Sequence, residues 1–156
     1  MSNKTVVSFG GANIITTLTN KAQVIDEWVA EIMPRYATTG QSTVVGLDIE
    51  WMGCPNFTFV GVEVADDVAK LRDEYGLVCG NSKDFQAHAL SVWPNRWYRK
   101  PGLKVLAKDI AGLTMVKPIH VCRSDWQARV LSNEQVEYAC IDAYASYKIG
   151  YKLFMG

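Results

Sequence analysis

The sequence is poor in the side chains that build compact zinc sites. It has two histidines, His88 and His120, and four cysteines, Cys54, Cys79, Cys122 and Cys140. No cysteine stands in a C-x-x-C pair or at zinc-site spacing from a histidine, so the cysteines read as reduced thiols. It also lacks any apolar run near the roughly 18 residues a membrane helix needs. The opening MSNKTVV turns polar too soon for a secretory signal. The expected location is therefore intracellular, nucleus or cytoplasm, with no membrane partner. The Asn-x-Thr triplets at Asn3 and Asn56 then carry no meaning as glycosylation sites. Net charge is missing as well: 16 basic residues balance 16 acidic ones. That removes whole-surface attraction to nucleic acid and leaves a local basic patch as the means of contact. There is no repeat, no low-complexity tract and no linker.

What is present is an ordinary globular composition, 49% hydrophobic and 21% charged over 156 residues, which suits one domain spanning 1–156. TVVSF (5–9) and NIITTLT (13–19) read as strands around a Gly10-Gly11 turn. A helix follows over 21–33, with Val24, Trp28, Val29 and Ile32 as its apolar stripe and Pro34 as its stop. TVVGLDIEW (43–51) and FTFVGV (57–62) are continuous apolar runs of buried-strand type. ADDVAKLRDEYG (65–76) is a helix closed by Gly76, and LVCG (77–80) is expected as a short third strand. Helices near 84–92 and 102–112 come next, the second with Leu103, Leu106, Ile110 and Leu113 at helical spacing. The last helix opens on a capping box, Ser132 to Gln135, and runs to about Phe154. Its core face is expected to carry Ala139, Ala143 and Tyr147. Strands alternating with helices predict an α/β fold with a sheet covered on both faces.

Three placements of acid carry chemistry. Asp48 and Glu50 are two apart in a strand, so they project to one side. Two carboxylates there repel unless a cation lies between them. Asp66-Asp67 follows the second strand, where an aspartate is also explained as a helix N-cap. Tyr138 and Asp142 are four apart in an apolar helix, hence on one face. If the three converge, four carboxylates meet around one pocket, the layout for two hard divalent ions about 3.5–4 Å apart.

LDIEW, FVGV with DVAKL, and YACIDAY resemble the three motifs of the DEDDy class of 3′–5′ exonucleases. Within that class the chain resembles the Werner syndrome exonuclease family, in particular its short single-domain plant members. SDW (124–126) followed by LSNEQVEYACIDAYASYKIG, and TTLT ahead of the first helix, support this, and the resemblance covers nearly the whole chain. It implies a ribonuclease H-like fold and hydrolysis of terminal phosphodiesters of nucleic acid, DNA foremost, with two Mg2+ or Mn2+ ions. Carried over, Asp48 bridges both ions, Glu50 and Asp142 complete the nucleophile side, Asp67 holds the other ion, and Tyr138 orients the attacking water. The implied partner is nucleic acid with a free 3′ end, and the family's association with helicases implies such a partner too.

The chain departs from the family between the first two motifs. A strand-strand-helix unit lies there in the family, whereas here Met52 to Asn56, five residues, separate the two strands. The expected fold is thus a truncated ribonuclease H-like sheet with the Asp48 strand at its edge, open to a second copy of the chain. Five residues suit an antiparallel hairpin, since parallel neighbours need a crossover of a dozen or more. A hairpin would carry Asp67 to the wrong end and keep the site from assembling. Two functions therefore stand side by side: a metal-dependent exonuclease, and an inactive exonuclease-like domain that binds nucleic acid or assembles with partners. The segment 93–108 interleaves Arg96, Arg99, Lys100, Lys104 and Lys108 with Trp93, Trp97 and Tyr98. Charge for phosphates and rings for bases suit a single-stranded end, with Arg96, Trp97, Arg99 and Lys100 as its contacts. The lysines also fit the solvated face of an amphipathic helix.

Overall fold

The computed structural model describes residues 2–37, 43–46, 57–76, 78, 81–96 and 100–155. The chain opens with a β-hairpin, β1 (Ser2–Phe9) and β2 (Ala12–Thr19), paired antiparallel from Ser2 opposite Thr19 to Phe9 opposite Ala12. Its two-residue turn places Gly10 at φ 56° and Gly11 at φ 77°, the left-handed region a tight hairpin demands and glycine meets without strain. Gly10 is also confined by packing: a Cβ there would stand 2.5 Å from Leu113 Cδ2. Helix α1 (Ala22–Ala37) continues through Pro34, so the expected stop at that residue is corrected. Proline removes one intrahelical bond, and here the helix carries that loss for a further turn. Trp28, expected on the buried stripe, is exposed.

The second sheet holds three parallel strands in the order β3 (Thr43–Gly46), β4 (Phe57–Gly61), β5 (Ser82–Asp84). Thr43 lies opposite Phe57 and Gly46 opposite Val60, so the expected antiparallel hairpin is overturned. The described end of β3 falls at Gly46, and ten residues, 47–56, separate it from β4. A four-residue strand needs a return of only about 13 Å, which ten residues span easily. The third strand of the described sheet is Ser82–Asp84; of the strand expected over 77–80 only Val78 is among the described residues, and it is exposed and in no strand.

The central strand explains the core. Side chains alternate across a strand, yet Phe59 and Val60 are both wholly buried, because the sheet is covered on its two faces. Helix α2 (Val64–Tyr75) packs on β4 and β5. Helix α6 (Asn133–Phe154) packs on β3 and β4. Val60 joins Phe85 and Ala89 of α3 (Phe85–Val92), Leu106 of α4 (Leu103–Leu106), Ala107 of the π turn continuing it (Ala107–Ala111), Met115, and Ala145 and Ile149 of α6 in one cluster. A short helix, α5 (Ile119–Cys122), precedes α6. The buried face of α6 carries Gln135, Asp142, Ala145, Ser146 and Ile149. Ala139, Ala143 and Tyr147 are only half-buried, which corrects the expected core face. Among the described residues no helix is long and apolar enough to cross a membrane.

Candidate active site on the last helix

The site begins with the cap of α6. Ser132 Oγ accepts from the Gln135 amide at 3.2 Å, and Gln135 Oε1 accepts from the Ser132 amide at 2.8 Å, the capping box read from the sequence. Gln135 Nε2 reaches further, donating to Ser124 Oγ at 2.9 Å and to the Asp125 carbonyl at 3.0 Å. SDW and the capping box, two separate sequence signals, are thus one hydrogen-bond network around a single buried amide.

One turn on, Tyr138 faces Trp126, ring centroids 5.8 Å apart and tilted 54°. The Trp126 indole donates to the Cys122 carbonyl at 3.4 Å, and the Cys122 thiol donates to the Tyr138 phenol oxygen, also at 3.4 Å. Burial first, with the negative charge of Asp142 adding to it, pushes the Tyr138 phenol well above the ordinary tyrosine range. Tyr138 is therefore a neutral phenol at any physiological pH, with an O–H to donate.

Asp142 lies a further turn on, with its side chain only 7% exposed. A buried carboxylate needs a partner, and Lys117 supplies it: Nζ stands 2.6 Å from Oδ2 and 5.2 Å from the centre of the Tyr138 ring. The sequence reading did not single out Lys117. Its signal was there, in LTMVK (113–117). This segment alternates, with Met115 buried between exposed Thr114 and exposed Val116, so Lys117 shares the inward phase of Met115. Pro118 holds the preceding residue out of helical geometry and keeps that phase.

Asp67 belongs to α2. The N-cap of that helix is Glu63, at φ 59° and ψ 28° without a side-chain cap bond. Asp66 and Asp67 instead lie within the first turn, so the N-cap explanation of an aspartate here is corrected. Burial raises the Asp67 carboxyl above the usual aspartate value, and the neighbouring charges of Asp66 and Glu63 add to it against an opposing pull from Lys70. Asp48 and Glu50 lie outside the described residues, as do Trp97 and Arg99. Of the remaining basic candidates, Lys100 is exposed, and the Arg96 guanidinium lies 3.8 Å from the Asp109 carboxylate and 5.6 Å from the Trp93 ring centre.

Among the described residues no group of three His, Cys, Asp or Glu side chains is placed to hold a metal ion. Asp142 supplies a buried carboxylate oxygen, the donor type a hard divalent cation takes, and in this structure Lys117 stands on it at hydrogen-bond distance.

Solved structures place the architecture. The domain has the ribonuclease H-like α/β fold: it superposes on Brucella melitensis NrnC with a TM-score of 0.56 at 24% identity, over 65% of this chain and 47% of that one. Escherichia coli RNase D, an exoribonuclease involved in structured RNA processing, gives 0.53 at 24% identity over 65% of this chain and 26% of its own. Trypanosoma brucei RNase D, solved in complex with RNA U12, gives 0.54 at 16% identity over 99% of this chain and 55% of its own. Within that fold the chain belongs to the 3′–5′ exonuclease family, whose model matches residues 50–154. It is 33% identical over 87 residues to the human exonuclease 3′-5′ domain-containing protein 2, and 29% identical over 92 residues to a 3′-5′ exonuclease of Arabidopsis thaliana. Those matches span 56% and 58% of this chain but only 14% and 31% of the two relatives.

Proposed function

We propose that the chain is a divalent-metal-dependent 3′–5′ exonuclease of the DEDDy class that trims nucleic acid, DNA foremost, from a free 3′ end, in a single domain over 1–156. In this reading it is a short Werner-like member of plant type that lacks the segment between its first two motifs. The observation that carries the proposal is the buried Asp142 one turn after Tyr138, on the α6 face turned toward the parallel sheet. The parallel register of β3 and β4 supports it, because a hairpin would have parted the motifs.

In this reading Asp48, Glu50, Asp67 and Asp142 would hold Mg2+ or Mn2+, which would supply an activated water and stabilisation of the leaving oxygen. The chain's own residues do the rest. Tyr138, held neutral, donates a hydrogen bond that orients the attacking water. Arg96, Trp97, Arg99 and Lys100 guide the strand by charge and stacking. The trypanosome RNase D solved with RNA U12 supports nucleic acid as the substrate class and is the reason RNA is tested beside DNA.

The test is digestion of an end-labelled 3′-recessed DNA duplex, and of single-stranded RNA, in Mg2+ or Mn2+. The expected result is a ladder shortening from the 3′ end that Asp142→Ala and Asp48→Ala both abolish. Folded protein that cleaves neither substrate with either ion would reassign the chain as a binding module, with β3, the edge of the described sheet, as the first place to seek a partner.

A further inference from the structure

We infer that Lys117 is a built-in counter-ion that holds Oδ2 of Asp142 and must be displaced before a divalent cation can take that oxygen. The inference rests on the assignment of Asp142 as a metal ligand in the proposed function. The ammonium stands 2.6 Å from Oδ2 of a side chain with almost no access to water. A cation taking that oxygen at the short distance a divalent ion requires would have to share it with the ammonium, and two positive charges on one oxygen repel. Lys117 is placed for both states. Its side chain is about one quarter exposed, against 7% for its partner, so it has a path to water when displaced. Its backbone is fixed by Met115, which is buried in the core two residues earlier, and by Pro118 after it. The face of the Tyr138 ring, 5.2 Å from Nζ, gives the ammonium a second resting contact beside the same site.

This device has a purpose in folding. A buried carboxylate with no counter-charge would oppose folding until metal arrived. Lys117 lets α6 dock without metal, and apparent metal affinity falls by the fraction of molecules in which the ammonium holds the oxygen.

The experiment is calorimetric titration of Mn2+ into wild-type protein, Lys117→Met, Asp142→Asn and the double variant, with a melting curve of each in EDTA and in Mn2+. Lys117→Met should bind Mn2+ about tenfold more tightly than wild type, melt lower in EDTA, and gain more from Mn2+. The affinity gain should vanish in the double variant. Lys117→Gln keeps a neutral donor to Oδ2 and serves if the methionine variant does not fold. Equal or weaker Mn2+ binding in both Lys117 variants, with wild-type binding still lost in Asp142→Asn, would overturn the counter-ion role and leave the exonuclease reading standing. Wild-type Mn2+ binding that Asp142→Asn does not change would overturn the ligand assignment and the inference together.

Discussion

Asp142 and Asp67 are two aspartates proposed for one reaction, on two helices packed against the same parallel sheet, and their surroundings are opposite. Asp142 is the more deeply buried, yet a lysine answers its charge at 2.6 Å. Asp67 is less buried, yet burial first and then its neighbours Asp66 and Glu63 raise its carboxyl, against a pull from Lys70. At Asp67 burial and acidic neighbours thus act together; at Asp142 the neighbour is a lysine at hydrogen-bond distance. The α6 side is complete without metal. The α2 side gathers three acids, Glu63, Asp66 and Asp67, which Lys70 answers only in part.

The sharpest way to break this contrast is Asp142→Ala. It should reduce exonuclease activity at least about 100-fold, since even outer-shell changes at metal sites cost 10–100-fold. It should also destabilise the protein by about 2 kcal/mol, because it leaves the Lys117 ammonium without its partner; denaturant melts in EDTA check this. Tyr138→Phe removes only the phenol O–H. Activity should fall about a hundredfold, the low end of the range for a positioned proton-handling group, with melting little changed. Ser132→Ala tests the α6 side from a distance. Losing the cap should cost about 1 kcal/mol, and hydrogen exchange should rise across α6 while α2 stays as it was.

The smallest expected effect tests the α2 side and has the opposite sign. A carboxyl raised on folding contributes stability while protonated, below its unfolded value, and loses it as pH rises through the folded value. At pH 7 ionised Asp67 therefore opposes folding slightly. Asp67→Asn should stabilise the metal-free protein by about 0.5 kcal/mol or less, given its partial exposure. The gain should shrink as pH falls into the carboxylate range, where the wild-type group takes up its proton. A stability loss at pH 7 would show that the contrast between the two aspartates is misdrawn.

Much of this was legible in the sequence, and the particular failures are informative. The capping box at Ser132, the Gly76 helix end and the Gly10-Gly11 turn are local signals, and each appears where it was expected. Pro34 misled because a helix can absorb one missing bond. The parallel pairing of β3 and β4 was hidden because a link judged from the longest possible strand left five residues, while the described strand ends leave ten. The buried face of α6 was misjudged because Asp142 was counted as polar, when with Lys117 opposite it packs as part of a paired unit. A lysine on the inward phase of an alternating segment has no motif, so only its neighbours in space give it meaning.

Gln135 has one more consequence. It precedes Asp142 by seven residues, which on an α-helix is within about 20° of two full turns, some 10.5 Å along the axis. The two side chains therefore share an azimuth. Gln135 is held by four hydrogen bonds to Ser132, Ser124 and Asp125, and a helix transmits rotation as a shaft does. The amide works as a key cut into the end of that shaft: where it seats, the carboxylate two turns away has its bearing fixed, with no contact between them.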